Sequence, residues 1–572
     1  MDIMQTITHK VDFCVVGGGL AGMCAAIAAA RRGVKTLIMQ ERPVFGGNAS
    51  SEIRMWVCGA PGCLETGLVE ELRLENLHRN TYVNFSVWDS ILFEKVRFQE
   101  NLTSLLNCSC QSAEMKDGRI VSVTGWQMTT QTFHKVEAKF FADCSGDSIL
   151  APLSGAEFRI GREARSEFGE SLAQEKSDRQ TMGMSCLIQA RECSGPRKFT
   201  PPPWAYVYEE KEMDHRFHLL KDLQNFWWLE LGGDRDSIGD TEELRDELLK
   251  TAFGVWDHIK NRGDHGADNW ELDWVGFLPG KRESRRCIGD HILTQEDMMS
   301  GGHFEDTVAY GGWPVDDHHP AGIRHMGPPN RNIRLKKVYG IPLRCLYSKN
   351  VPNLFFAGRN ISTTHIGLSS CRVMATCALL GQAVGTAARA ALEHGCASCR
   401  DAAKNYTAEI QRMLMDDDCY LPGFSREIPS LCREAKLAAS SGDPEVLRSG
   451  TDRELEGQEN FWHCKEGDFV TYDFGKETDL HSVRIVFNSD LSRPHLNSRA
   501  NYFLGDGTFS PPETLVRGFA LEADGRIVAE VEDNFQRLVN IPVNVRTRTL
   551  KLLVKKIRAD RDRCGIFAFD AR

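Results

Sequence analysis

The sharpest pattern of apolar and polar positions lies near the N-terminus. Val11-Asp12-Phe13-Cys14-Val15-Val16 is a short apolar run, and the stretch from Met23 to Arg32 is rich in alanine. A short apolar run bounded by glycines predicts a buried strand, and the alanine-rich stretch predicts a helix. A second strand is predicted at Lys35 to Met39. Further along, the pattern predicts a helical stretch from Thr66 to Arg79, a β-hairpin turning at Asp117-Gly118, and one long small-residue helix from Ser370 to Glu393. After about residue 440 the period changes to strict alternation. Strands are predicted at Phe469 to Gly475, His481 to Phe487, Leu550 to Lys556 and Gly565 to Phe569.

The first of these blocks carries chemistry. Between its strand and helix stands Gly17-Gly18-Gly19-Leu20-Ala21-Gly22. In a βαβ unit the first glycine, Gly17, permits the tight turn. Gly19 lets the backbone approach a pyrophosphate, and Gly22 lets the helix pack on the strand. The helix N-terminus then presents unpaired N–H groups and a positive dipole end to the phosphates. Glu41 closes the second strand about 20 residues later, where a carboxylate binds a ribose hydroxyl. Strand, turn, helix, strand and acid fall in order, so the block predicts a dinucleotide site.

Composition bounds the remainder. The chain has 572 residues, room for two to four domains, and its hydrophobic content of 41% and charge of 26% are those of a globular enzyme. A net charge of −10 argues against a nucleic-acid partner. No run of about 18 apolar residues exists, and Met1 to Lys10 lacks the apolar core of a signal peptide, so no membrane association is expected. Nineteen cysteines with no regular framework point to reduced thiols and a cytoplasmic location. An oligomer is compatible with all of this.

The segment Glu41-Arg42-Pro43-Val44-Phe45-Gly46-Gly47-Asn48-Ala49-Ser50-Ser51, with its second glycine pair directly after the acid, resembles the large FAD-dependent oxidoreductase superfamily that includes the fumarate reductase and succinate dehydrogenase flavoproteins. Phe140 to Asp147, with Ser145 and Gly146, resembles the strand that returns to the nucleotide. Asn353 to Asn360 resembles the late strand whose glycine, here Gly358, reaches the ribityl chain. The superfamily often places an acid after that glycine; here Arg359 stands there. Within the superfamily the chain resembles a bacterial FAD-dependent oxidoreductase family, on Gly46 to Glu52, Arg282 to Arg286 and Ala375 to Gln382. The resemblance implies FAD as cofactor. It implies contacts from Gly17, Gly19, Leu20, Ala21, Gly22, Glu41, Arg42, Gly46, Gly47, Asn48, Ser50, Ser51, Ser145, Gly146, Gly358 and Arg359, and from Ser370, Arg372 and Val373 at the head of the long helix. That helix would point its N-terminus at the flavin, where its dipole stabilises reduced, anionic flavin. The alternating C-terminal segments resemble a discoidin-like, galactose-binding β-sandwich.

The expected fold class is therefore α/β: a Rossmann-like FAD domain from residues 1–160 and 336–440, an inserted α+β substrate domain at 161–335, and a β-sandwich at 441–572. The densest polar constellation is Tyr310-Gly311-Gly312-Trp313-Pro314-Val315-Asp316-Asp317-His318-His319-Pro320. An Asp–His pair suits a base that removes a hydroxyl proton as hydride leaves carbon. Adjacent histidines point in different directions on an extended chain. His319 is favoured over His318, with Asp317 as partner and Tyr310 toward substrate. His365, between the late strand and the long helix, is the second candidate. The cluster Arg282 to Arg286 is a third, and Arg285 is its candidate for binding a carboxylated substrate. No spaced ligand set accompanies the histidines, so no metal is expected. Three functions remain: oxidation of a sugar or polyol hydroxyl, fumarate reductase-like reduction of an activated double bond, and a non-catalytic FAD-containing binding protein.

Overall fold

The computed structural model describes residues 4–220, 225–455, 457–493, 509–558 and 564–572. Its described residues form two compact units, the first from residues up to 61 and 82–410, the second from 62–81 and the described residues beyond 410.

In the first unit five parallel strands form the central sheet, in the order Leu354–Phe356, Phe140–Asp143, Phe13–Val16, Thr36–Met39, Leu102–Leu105. The strand order reverses at Phe13–Val16, with the two later returning strands on one side and the two that follow it in sequence on the other. Strands covered on both faces read as continuous apolar runs, which is what residues 13–16 and 140–142 show. The helix Leu20–Arg31 follows the first strand and is buried on almost every side. It packs against the long helix Met374–Glu393, and the alanines of both allow their backbones to approach closely. At Gly381 a Cβ would lie 1.9 Å from the carbonyl oxygen of Ala21, so no side chain fits there.

A second sheet, ordered Gln5–Lys10, Thr132–Glu137, Arg119–Gln127, Cys108–Lys116, stands beside the first. Its predicted hairpin is present: Lys116 pairs with Arg119. Asp117 and Gly118 both take positive φ, at 50° and 74°, as the tightest hairpin turn requires. The middle segment has an apolar cluster of its own, including Met184, Ile188, Trp228, Leu248 and Trp256. It is nevertheless part of the first compact unit.

The predicted continuous helix from Ser370 is a correction. Two helices, His365–Cys371 and Met374–Glu393, meet at a bend of 95°. Val373 has extended backbone (φ −67°, ψ 147°) and caps the second helix. Ser370 therefore sits in the short helix before the bend. No single described helix is long and apolar enough to cross a membrane, and this bent pair meets the test by length and composition alone.

The second unit is an antiparallel sheet of seven strands. The two strands predicted at Phe469 to Gly475 and His481 to Phe487 are one, Phe469–Phe487, interrupted by register shifts after Asp473 and Leu480. It pairs along its length with Leu538–Ile557. Alternate residues, among them Tyr472, Val483, Ile485, Leu552 and Phe569, form the core. The sequence places the start of this region near 441. The compact unit begins instead at Gln411 and takes in Gly62–Thr81, because Leu74 and Leu77 of the helix Leu68–Arg79 enter that core. Arg426, Arg484 and Arg537 are buried there against Asp452, Asp570 and Asp418.

Gly381→Ala is expected to lower stability by about 1–3 kcal/mol through overpacking and to weaken flavin retention. Gly195→Ala, where a Cβ meets nothing within 4 Å, is expected to change neither. Thermal denaturation with flavin fluorescence as a second probe measures both.

Candidate active site

The carboxyl ends of the parallel strands open onto a cavity of about 490 Å³. In open α/β sheets the crevice at the strand-order reversal is where ligands bind. Four of the five strands deliver the turn that follows them: Gly17 to Ala21, Gln40 to Arg42, Cys144 to Asp147, and Gly358 with Arg359 all line the cavity. Gly17 has φ 105°, and a Cβ there would lie 2.3 Å from the carbonyl oxygen of Cys144. Gly22 is held as closely, since its Cβ would lie 1.8 Å from the Gly17 oxygen. Gly19 differs. A Cβ on it would meet nothing nearer than the Gly47 Cα at 3.9 Å, so its outer face is open to a ligand. Gly46 donates its N–H to the Gly18 oxygen at 2.9 Å, and Gly18 donates to Gln40 Oε1 at 2.8 Å. The two glycine pairs thus form one cradle. The N-terminus of Met374–Glu393 ends in the same cavity, with Arg372, Val373 and Met374 on its wall.

The donors present fit an anionic dinucleotide. Nη1 of Arg42, Nε of Arg285 and Nε of Arg372 are buried on cavity-lining residues without a hydrogen-bond partner. A buried guanidinium N–H with no acceptor is costly, and phosphate or ring carbonyl oxygens would relieve it. Glu41 stands exposed at the rim, as a ribose-binding carboxylate must.

Asp147 ties three loops together. Its carboxylate accepts from Lys281 Nζ at 2.7 Å, Ser284 Oγ at 2.7 Å and Arg359 Nη2 at 2.9 Å. Burial alone would raise its pKa, but Arg359 and Lys281 outweigh that and hold it well below the usual carboxylate range. Arg359, which stands where the superfamily often has an acid, therefore brings the acid of a neighbouring loop into that corner.

A second cluster forms the opposite wall. His318 and Asp316 lie on the strand Val315–His318, whose partner is Asn330–Ile333. Alternation puts Asp316 and His318 on the cavity side and Asp317 on the other. His318 Nδ1 is 2.6 Å from Glu230 Oε2, and its Nε2 is 3.4 Å from Asp316 Oδ2. Asp316 Oδ2 also accepts from Arg372 at 3.1 Å and from the Trp313 indole at 3.3 Å. Burial raises the pKa of both carboxylates, yet His318 and Arg372 at Asp316, and Arg282 and His318 at Glu230, hold each below its ordinary value.

Several sequence-predicted residues take other roles. His319 is exposed, outside the cavity lining, with its ring stacked on His325 at 3.7 Å. His365 is buried between Glu283 (Nδ1, 2.9 Å) and Asp317 (Nε2, 3.0 Å). Burial opposes charge on its ring, but Glu283 and Asp317 overcome it and raise the pKa to about 10. A permanently charged imidazole with both nitrogens engaged does not act as a base. Asp317, its partner, also binds Arg331 at 2.8 Å. Tyr310 is fully buried in the strand Thr307–Gly311 and does not line the cavity. Gly22, Ser50, Ser51 and Ser370 also lie off its wall. The Ser50 hydroxyl donates to the Gly47 oxygen, the Ser51 N–H donates to Asp89, and the Ser370 hydroxyl binds Tyr339 and the Trp313 carbonyl. Arg282 is taken up by Ser185, Gly183 and Trp227, and Arg286 by Glu163 and Thr363, so neither forms a free carboxylate clamp. Arg285 does line the cavity. The sequence alone assigns no individual role to Glu230, Lys281, Asn330 or Asn332, and it places Trp227 only within the aromatic-rich substrate domain expected at 161–335. The alternation of Val315 to His318 was the available signal for the face, but nothing local reports the partner strand.

His365→Gln removes the charged imidazole from between Glu283 and Asp317 and is expected to cost about 3–5 kcal/mol near pH 6. The raised pKa makes this contribution complete below about pH 6.5 and lost as pH climbs through about 10. The gap between wild type and variant in thermal midpoint should therefore narrow toward pH 10, while bound flavin keeps its spectrum.

A family model for FAD-dependent oxidoreductases matches residues 12–414. No curated protein matches this chain. Among solved structures, a geranylgeranyl bacteriochlorophyll reductase-like protein from Thermoplasma acidophilum is similar at 12% identity and a TM-score of 0.30, covering 72% of this chain and 86% of that one. A flavin-dependent brominase is similar at 11% identity and 0.33, over 72% and 86%. A family 32 carbohydrate-binding module from Streptococcus pneumoniae is similar at 14% identity and 0.19, over 26% of this chain and 97% of that one. Likenesses at this level carry no argument about the reaction. The family match covers more than two thirds of the sequence, and the chain belongs to the FAD-dependent oxidoreductase family, as an enzyme whose cofactor is FAD.

Proposed function

We propose that this enzyme oxidises a hydroxyl of a sugar or related polyol, with His318 as the base that takes the hydroxyl proton. The observation that carries the reading is the 2.6 Å contact between His318 Nδ1 and Glu230 on the wall of the FAD cavity. A carboxylate at Nδ1 fixes the proton there, and Nε2, whose contact with Asp316 is the longer one at 3.4 Å, is the nitrogen that turns to the substrate hydroxyl. Bound FAD supplies the hydride acceptor. As Nε2 takes the proton, Glu230 and Asp316 stabilise the imidazolium from both sides. Arg282, 3.5 Å from the same Glu230 oxygen, keeps that carboxylate ionised.

The substrate class rests on the neighbours of His318. Trp227 and Trp313 line the cavity beside Asn330 and Asn332. The Trp227 ring stands edge-on to His318 at 5.3 Å. Indole faces suit the apolar face of a sugar ring, and carboxamides donate and accept at once, as a polyhydroxylated ligand needs. The non-catalytic reading is set aside by the family membership, which makes the chain an enzyme. The antiparallel second unit is read as a galactose-binding-like β-sandwich, on its alternating strands and the apolar residues they bury.

In anaerobic mixing with a panel of sugars and polyols, one class is expected to bleach the flavin. His318→Gln should slow that bleaching by about 10²–10⁴-fold with flavin still bound, and His319→Gln should leave it unchanged. Reoxidation of the reduced enzyme by enoates, with every sugar inert, would overturn the substrate assignment. Equal bleaching rates in wild type and His318→Gln would overturn the base.

A further inference from the structure

Four side chains away from the flavin cavity converge. Glu210 stands on the short helical turn Glu210–Met213 and His218 eight residues later. His258 opens the π-helical turn His258–Arg262 at the end of the helix Thr241–Asp257, and His265 follows that turn. One ligating atom from each lies within 4.8 Å of all the others. The three imidazoles sit with ring centroids 5.1 Å (His218–His258), 4.3 Å (His218–His265) and 5.0 Å (His258–His265) apart. We propose that Glu210, His218, His258 and His265 bind one divalent transition-metal cation of the zinc class.

Three observations support this. First, Nε2 of all three histidines is buried with no hydrogen-bond partner. The nearest opposite charge is Glu210 Oε2, 3.3 Å from His258 and 3.5 Å from His265. Orphaned buried nitrogens are costly, and three aimed at one point call for a common acceptor of their lone pairs. Second, the tautomer is fixed. His258 is fully buried, and its Nδ1 lies 2.9 Å from the Tyr208 carbonyl oxygen, which can only accept. Nδ1 therefore carries the proton and Nε2 presents its lone pair to the cluster. A metal-ligating histidine is oriented in this way by its second nitrogen. Third, the donor set is selective. Three imidazoles and a carboxylate match the nitrogen-rich four-coordinate sites of zinc, whereas magnesium and calcium take six or more oxygens. Tetrahedral coordination with bonds of about 2 Å places donors roughly 3.3 Å apart. The cluster therefore closes around a cation by small side-chain movements.

All four ligands come from protein, which leaves no position for substrate, and none lines the flavin cavity. The cation is structural. It fastens the segment carrying Glu210 and His218 to the end of the helix Thr241–Asp257. The π-helical turn has a reason in this arrangement, since it brings His258 and His265 to one side.

The test uses the full-length, FAD-loaded protein, stripped with a chelator and titrated with zinc chloride alone. Wild type is expected to retain one zinc per chain after gel filtration, measured by elemental mass spectrometry, and to gain several degrees in thermal midpoint. The flavin absorbance should not change. Cobalt(II) should give the intense visible bands of a four-coordinate site. Glu210→Gln, at an exposed residue, and His265→Gln should fold as the metal-free wild type does and bind zinc at least tenfold more weakly. His394→Gln, in the separate pair with Glu409, should bind as wild type. Wild type that retains no zinc, or Glu210→Gln and His265→Gln chains that bind it with wild-type affinity, would overturn the site.

Discussion

No side chain fits where the helix Leu20–Arg31 meets its neighbours. A Cβ on Gly22 would lie 1.8 Å from the Gly17 oxygen, and one on Gly381 would lie 1.9 Å from that of Ala21. This double close approach fixes the helix against the central strand and against Met374–Glu393. Two helix N-termini then open onto one cavity, the first behind Gly17 to Gly19 and the second behind Val373. Each carries a positive dipole end, which favours negative charge such as that of a bound dinucleotide. The site follows from packing that excludes side chains.

Charge is placed on that frame by compensation. A buried carboxylate or guanidinium is tolerated only when paired, and two of the paired sets in the first unit differ in purpose. His365, Glu283 and Asp317 form a closed set in which every polar atom of the imidazole is used, so it stabilises and does not react. His318, Glu230 and Asp316 form an open set on the cavity wall, with Arg372 Nε still lacking an acceptor. The period-2 pleat of one short strand separates the two sets. Asp316 and His318 face the cavity, and Asp317 faces His365.

Much of the nucleotide-binding half was legible because its determinants are local. The glycine turn, the second glycine pair and the apolar strands are each set by neighbours within a few residues, and their steric demands leave few alternatives to glycine or alanine. The choice among histidines was not legible. His318 and His319 are adjacent and identical in chemistry, and the strand's partner, Asn330–Ile333, decides which one is enclosed. The break at Val373 was hidden for a related reason. Residues 370–393 are uniformly small and apolar, so no local signal opposes a continuous helix, and the bend comes from how the two segments pack.

The sequence by itself determined the Rossmann-type cradle, the FAD-family membership and the alternating strands of the C-terminal unit, because each depends on backbone sterics and short-period burial written into consecutive residues. Tertiary structure alone decided which histidine meets the cavity, which acid answers Arg359, and that Glu210, His218, His258 and His265 share one point in space. Those outcomes depend on groups 7 to more than 200 residues apart along the chain, and their electrostatics exist only after burial has removed water from between them.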